Sequence, residues 1–293
     1  MGDLQLSADS PGLPAARARS DTSLGRSARA LRSGIFFAVF FGYMICVMGP
    51  GQRLFLWPAT ILFPHRRRAM VRAWLRAHAR VTLTLARVLA GVRVSVHGAL
   101  PGEACIVVMN HQSVLDIPIG LTLVTGPYPL IPTRDRYRRG IPGISPLVRI
   151  ARFPIVSQKR TIPRPELAAL TDAADQVARG EQSYLIFPEG HRSRDGSIGP
   201  FMRTGLRLVL SRARRPIYCI IADGMSHART FAETASRFAG TRVRITILGP
   251  FPPPDDSAVD ACIDSLRDRM RTALTELRAA RLADRPHAFH PDG

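Results

Sequence analysis

Two short apolar runs, residues 104–109 and 184–187, each end abruptly in a dense polar cluster. The first is followed by Asn110-His111-Gln112-Ser113-Val114-Leu115-Asp116, the second by Pro188-Glu189-Gly190-His191-Arg192-Ser193. Runs of this length suit buried strands. Further strand candidates lie at 92–96, 129–131, 153–156, 216–221 and 243–248. Between them, 114–124, 165–179, 205–213 and 257–283 carry helical spacing, as with Leu167, Leu170, Ala174 and Val177 on one face. This interleaving predicts an α/β fold: a mixed, largely parallel sheet covered by helices. Open α/β sheets bind ligands beyond the carboxyl ends of their strands, which puts both polar clusters at the candidate site edge.

The chain ahead of the first strand is of a different kind. Residues 1–33 lack apolar periodicity and read as disordered. Residues 34–49 are uncharged and apolar, but as a helix they would be about 24 Å long, short of the roughly 30 Å hydrocarbon core. Pro50-Gly51 breaks the run, and a shorter apolar stretch follows at 54–63. Arg32 precedes this pair and His65, Arg66, Arg67 and Arg68 follow it, so both outer flanks are basic and lie on the cytoplasmic side. The expectation is a helical hairpin dipping into one leaflet, with a single span as the alternative. An amphipathic helix should follow over 66–89. Met70, Trp74, His78, Val81, Leu85 and Val88 keep helical spacing, with Arg72, Arg76, Arg80 and Arg87 mostly on another side. That pattern fits a helix on an anionic membrane surface, and an ordinary solvated face has the same appearance.

The net charge is +19, and Lys159 is the only lysine, so the cation is almost entirely arginine. Guanidinium groups favour bidentate contact with phosphate. The expected partner is anionic: nucleic acid, a phospholipid surface or a phosphorylated substrate. No aromatic-basic interleaving or nucleic-acid motif is present, so nucleic acid is not expected. Cys46, Cys105, Cys219 and Cys262 share no metal-type spacing and read as reduced packing residues. No metal is expected.

His111 and Asp116 are the residues with the most chemistry to offer. Five positions apart, they would point about 140° away from each other on a continuous helix. They can meet only across a turn, which the strand-to-helix junction supplies. Asp116 would then accept from one imidazole nitrogen and leave the other free to take a proton from a hydroxyl. The plainer alternative is an Asn-His capping pair with Asp116 on a solvated first turn.

The two clusters, in this order, resemble the signatures of the glycerolipid acyltransferase family of the 1-acylglycerol-3-phosphate acyltransferase type. Asn110-His111 through Asp116 matches its Asn-His-x-x-x-x-Asp, and Phe187-Pro188-Glu189-Gly190-His191-Arg192-Ser193 matches its Phe-Pro-Glu-Gly-x-Arg-Ser. Pro216-Ile217 stands in the place of the short fourth signature. The resemblance covers roughly residues 65–250. Two places depart from it. A gapless fit of the second signature to Ala151-Arg152-Phe153-Pro154-Ile155-Val156-Ser157 puts Ser157 where the family has an Arg, with Lys159 and Arg160 just beyond. Phe201-Met202-Arg203-Thr204-Gly205 also differs from the usual Phe-Lys pattern.

The resemblance implies transfer of a fatty acyl group from an acyl-CoA or acyl carrier protein thioester to the hydroxyl of lysophosphatidic acid, without a cofactor or an acyl-enzyme. It implies His111 as base, Asp116 as its orienting partner, Glu189 and Gly190 as acceptor-positioning residues, and Arg192 and Arg160 as phosphate ligands. Backbone N–H groups near Gly190 are the oxyanion candidates. The domain division is then 1–33 disordered, 34–90 membrane-associated hairpin and amphipathic helix, 91–250 acyltransferase domain, and 251–293 C-terminal helix and tail. A phospholipid membrane is the expected partner and its cytoplasmic face the expected location. The altered second signature keeps a different acceptor open, such as a lyso-amino-acid lipid. A non-catalytic anionic-lipid-binding protein is a further alternative, but mere binding does not need an oriented base.

Overall fold

The structure, a computed structural model, describes residues 23–157, 162–193, 195–225 and 237–283. A mixed sheet of six strands forms the centre. Its strands are β1 (Arg93–His97), β2 (Ile106–Met109), β3 (Pro129–Leu130), β6 (Ser183–Ile186), β7 (Ile217–Asp223) and β8 (Arg242–Phe251), in the spatial order β1-β8-β7-β2-β6-β3. Every neighbouring pair is parallel except β7 and β8. Two further short strands, β4 (Thr133–Arg134) and β5 (Ile155–Val156), pair in parallel as a separate sheet. The mixed, largely parallel sheet expected from the interleaved pattern is present. Its central strands β2, β6 and β7 are buried along their whole length, which is why they read as continuous apolar runs.

Helices α3 (Asp116–Leu123), α4 (Ser145–Ile150), α5 (Arg164–Ala178), α6 (Arg203–Ala213) and α7 (Val259–Ala283) complete the main domain. Gly120 of α3 meets the Leu185 side chain, and Gly205 of α6 meets the Ile186 side chain. Successive strand residues point to opposite faces, so α3 and α6 cover opposite sides of the sheet. Because β2, β6 and β7 are mutually parallel, Asn110, Phe187 and Gly224 all leave the sheet at one edge.

The N-terminal segment departs from expectation in two ways. Residues 23–33 are helical rather than disordered: α1 begins at Ser23. Its start is held by tertiary contacts that a local reading cannot see. Arg32 Nε donates to Leu89 O (3.3 Å), and Ser33 Oγ accepts the Ala239 N–H (2.9 Å). The hairpin at Pro50-Gly51 is also absent. One helix runs through that point, from Ser23–Tyr43 by way of π-helical turns at Met44–Met48 and Gln52–Leu56 to Trp57–Leu62. We call all of it α1. A proline lacks an N–H and crowds the carbonyl four residues back. Each π turn shifts bonding to the fifth residue just ahead of Pro50 and Pro58, with Gly49 N–H on Met44 O and Trp57 N–H on Gln52 O, so the helix continues.

The chain reverses one step later, at the short turn Pro64–Arg66, into α2 (Arg67–Ala90). α1 and α2 therefore form the hairpin, and α2 in turn packs on α3. The stretch Gly25–Leu62, 38 residues, is long and apolar enough to cross a membrane. One side of it is taken by the protein: Phe36 stacks on Phe238 (4.7 Å between centroids), and Gln52 Nε2 donates to Gly143 O (2.8 Å).

Candidate active site

Asn110 does not cap the helix after it. Its amide pairs with Ala222 of β7 as a further rung of the sheet, donating to Ala222 O (2.9 Å) and accepting the Ala222 N–H (2.8 Å). This locks the end of β2 to β7 and starts the turn that the five-residue spacing needs. Across the turn, His111 Nδ1 lies 2.8 Å from Asp116 Oδ2. The same Oδ2 accepts the N–H of Gln112 (2.6 Å) and of Ser113 (2.7 Å). An oxygen accepting two backbone donors acts as an acceptor toward the imidazole too. Nδ1 therefore carries the proton, and Nε2 keeps its lone pair. Asp116 is fully buried, while the His111 side chain is 17% exposed. The ring thus has an anchored nitrogen and a reachable one.

Phe187, the last apolar residue after β6, stacks on the imidazole at 4.4 Å between centroids and sets the plane of the ring. Glu189 stands just beyond and is 3% exposed. Its Oε1 accepts the His111 N–H (3.1 Å) and its Oε2 the Gly199 N–H (3.2 Å). Burial raises its pKa, with the two backbone donors offsetting part of that shift. Gly190 sits at φ +69°, a conformation that suits glycine, and its N–H closes a turn onto Phe187 O (3.0 Å). That N–H is in use by the turn. The loop continues under the same control: Ser193 N–H donates to His111 O (2.7 Å), and Asp195 is held ionised, with a pKa lowered to about 2, by the hydroxyl and N–H of Ser197 and the hydroxyl of Ser193.

The structure brings together His111, Asp116, Glu189 and Gly190. It leaves Arg192 exposed at the outer edge of the loop. Arg160, like Lys159, lies outside the described residues. Ser157 turns toward the start of α5, where its N–H (2.8 Å) and hydroxyl (3.0 Å) both donate to Glu166 Oε2.

Sequence reasoning missed Arg134. It projects from β4 and donates through Nε (3.1 Å) and Nη2 to Gly190 O, directly at the second cluster. Burial, reinforced by the neighbouring Arg136 charge, lowers its pKa. It nevertheless remains a cation at any working pH. The signal available was weak: an Arg in a short strand between two motifs. Gln112 was passed over as well. Buried beside His111, it donates to Gly196 O (3.1 Å) and accepts the Met225 N–H (3.3 Å).

A buried carboxylate that orients a mostly buried but reachable histidine, on the carboxyl edge of a largely parallel sheet, defines an enzyme site suited to proton removal from a hydroxyl. Residues 92–223 match the acyltransferase family model. The 1-acyl-sn-glycerol-3-phosphate acyltransferases alpha of Ovis aries and Homo sapiens are each 29% identical over 205 residues, covering 68% of this chain and 68% and 69% of theirs. The 1-acyl-sn-glycerophosphate acyltransferase PlsC of Thermotoga maritima shares the fold with a TM-score of 0.66, over 87% of this chain and 98% of its own, at 22% identity. Residues 92–223 are thus an acyltransferase domain, and the chain is an acyltransferase similar in sequence and fold to the 1-acylglycerol-3-phosphate acyltransferases.

Proposed function

We propose that this enzyme moves a fatty acyl group from an acyl-CoA or acyl carrier protein thioester to the hydroxyl of lysophosphatidic acid, giving phosphatidic acid for phospholipid synthesis. The observation that carries this reading is the three-donor clasp on Asp116 Oδ2, which leaves His111 Nε2 as the basic atom. Nε2 takes the acceptor hydroxyl proton as that oxygen attacks the thioester carbonyl carbon. The C–S bond then breaks, and the imidazolium returns the proton to the departing thiolate. A histidine suits this exchange near neutral pH. Arg134 holds the acceptor phosphate, with Arg192 and Arg160 assigned to the same anion. Glu189 serves chiefly to brace the His111 backbone, given the two N–H groups already on its oxygens.

The membrane is the natural location of such a substrate. In support, the outward side of the α1–α2 hairpin exposes Leu31, Ile35, Ile45, Leu54, Phe55, Trp57, Ile61, Leu62 and Phe63, with Arg66, Arg67 and Arg68 directly after the tip. A hairpin lying in the cytoplasmic leaflet, with its basic flank at the anionic headgroups, accounts for both.

One observation favours a second reading of the acceptor. Ser157 stands where the family pattern has an Arg and is engaged by a carboxylate. A lyso-amino-acid lipid is then the alternative acceptor. Acyl transfer by the purified protein to a panel of lysolipids, from both thioester carriers, separates the two. Phosphatidic acid as the main product is expected. Preference for a phosphate-free lysolipid overturns the first reading and favours the second.

A further inference from the structure

Asp223 ends β7 at the same sheet edge as His111 and is 4% exposed. Two arginines of α7 meet it: Arg278 Nε at Oδ1 (3.2 Å) and Arg281 Nη1 at Oδ2 (2.9 Å). They part ways in their second bond. Arg281 Nη2 goes to Arg242 O (3.2 Å), away from the site. Arg278 Nη2 goes to Gly196 O (2.8 Å), the carbonyl that also receives Gln112 Nε2. Two turns earlier on α7, Arg271 Nε donates to Ile198 O (3.1 Å), next to the Gly199 N–H that binds Glu189. The stretch 195–199 therefore lies between α7 and the His111 turn. Arginines grip it from one side, while Gln112 and Glu189 hold it from the other. α7 lies outside the residues matched by the family model, 92–223.

We propose that Arg278, seconded by Arg271, is a positioning residue for acyl transfer, acting from α7 through residues 195–199 on Gln112 and Glu189 and so on the backbone of His111. The proposal rests on the reading of His111 as base. The physical need for it comes from the turn itself. His111 and Asp116 are not held in register by a helix, so their alignment depends on what supports the intervening backbone. A misplacement of about 1 Å at a reacting group can cost on the order of 100-fold in rate. Asp223 keeps the Arg278 guanidinium aimed, because charge-assisted bonds at a buried carboxylate are the strong ones. Arg281 binds the other oxygen of Asp223, and none of its bonds goes to residues 195–199.

The test compares Arg278→Ala, Arg278→Lys and Arg281→Ala with His111→Ala in the full-length protein, reading kcat, both KM values and Tm. Arg278→Ala should lower kcat roughly 10- to 100-fold with both KM values within about threefold. Arg278→Lys keeps the charge but cannot span Asp223 and Gly196 together, and should fall between wild type and Arg278→Ala. Arg281→Ala should keep kcat within about twofold even though its loss of an Asp223 contact lowers Tm comparably. Equal kcat in Arg278→Ala and Arg281→Ala, or losses that follow Tm in both, overturn the proposal. If Arg278→Ala does not fold, Arg278→Lys against Arg281→Ala decides by the same criterion. An active His111→Ala enzyme removes the base reading itself. An inactive one beside a wild-type kcat in Arg278→Ala removes only the positioning claim.

Discussion

At the His111 turn, most buried polar groups find partners inside the chain: Asn110 on β7, Gln112 on Gly196, Glu189 on two N–H groups, and Asp116 with three donors on Oδ2 and none on Oδ1. Along the outer side of the α1–α2 hairpin the situation is reversed, and large apolar side chains stand in the open. An unpaired buried polar group costs free energy, so the turn has essentially one arrangement. Exposed apolar surface costs free energy too, but any apolar body of suitable shape relieves it. The turn is thus held in place before substrate arrives, whereas the outer side of the hairpin has no cover among the described residues and, in the proposed reading, is covered by lipid. Chemistry needs the first kind of region and lipid contact the second.

The sharpest way to break this contrast is to remove the base. His111→Ala should lower acyl transfer by roughly 10³-fold or more, and Asp116→Asn by about 10²–10⁴-fold, through loss of the correct tautomer. Because the pair acts as a unit, the double variant should be little worse than His111→Ala alone. Turnover of His111→Ala within about tenfold of wild type, or additive losses in the double variant, would refute a preorganised turn.

A smaller effect is expected where the turn meets the acceptor. Arg134→Ala removes one charge-assisted contact, about 1.5–3 kcal/mol, and should raise the acceptor KM roughly 10- to 150-fold while sparing the donor KM. Equal changes in both KM values would move Arg134 from phosphate binding to loop support.

The hairpin should respond to a different assay. Leu62 is 71% exposed at its tip. Leu62→Ser should weaken partitioning onto anionic vesicles roughly tenfold, for about 1.5 kcal/mol of lost apolar burial. It should leave kcat on a dispersed short-chain substrate unchanged. Unaltered partitioning would mean that the tip does not enter lipid.

The smallest expected signal is a pH dependence of stability from Glu189. Burial raises its folded pKa above the unfolded value. The relative stability this contributes is full below the ordinary carboxylate range and is lost as pH rises through the folded value. The Tm of wild type minus that of Glu189→Gln should therefore fall as pH rises from about 4 to about 8. A difference that grows over that range would mean that the backbone donors outweigh burial.

Much of the main domain could be read locally. Continuous apolar runs at 104–109 and 184–187 have few options other than buried strands, and the polar residues just past them must lie at the sheet edge. His111 and Asp116 were legible for the same reason, since their spacing excludes a continuous helix. Arg134 and Arg278 were not. Each acts on a backbone carbonyl far away in sequence, at Gly190 and Gly196, and nothing near either arginine marks that destination.

The amino-acid sequence by itself determined where strands and helices alternate, which edge carries the polar residues, and that His111 can reach Asp116 only across a turn. All three follow from the period of the backbone, which is a property of the chain at each point. The course of α1 was decided by tertiary structure alone. The helix is apolar on nearly every side, so no stripe announces which face is buried. Beside buried Ser33, Phe37 and Gly49, a row of its buried positions, Phe36, Met44, Met48, Gln52, Leu56 and Thr60, falls at multiples of four residues. On an α-helix such a row would drift by about 40° at each step of four. The π turns remove that drift and carry the helix past both prolines, and what selects them is the surface the row packs on: Phe238 at one end and Gly143 further along.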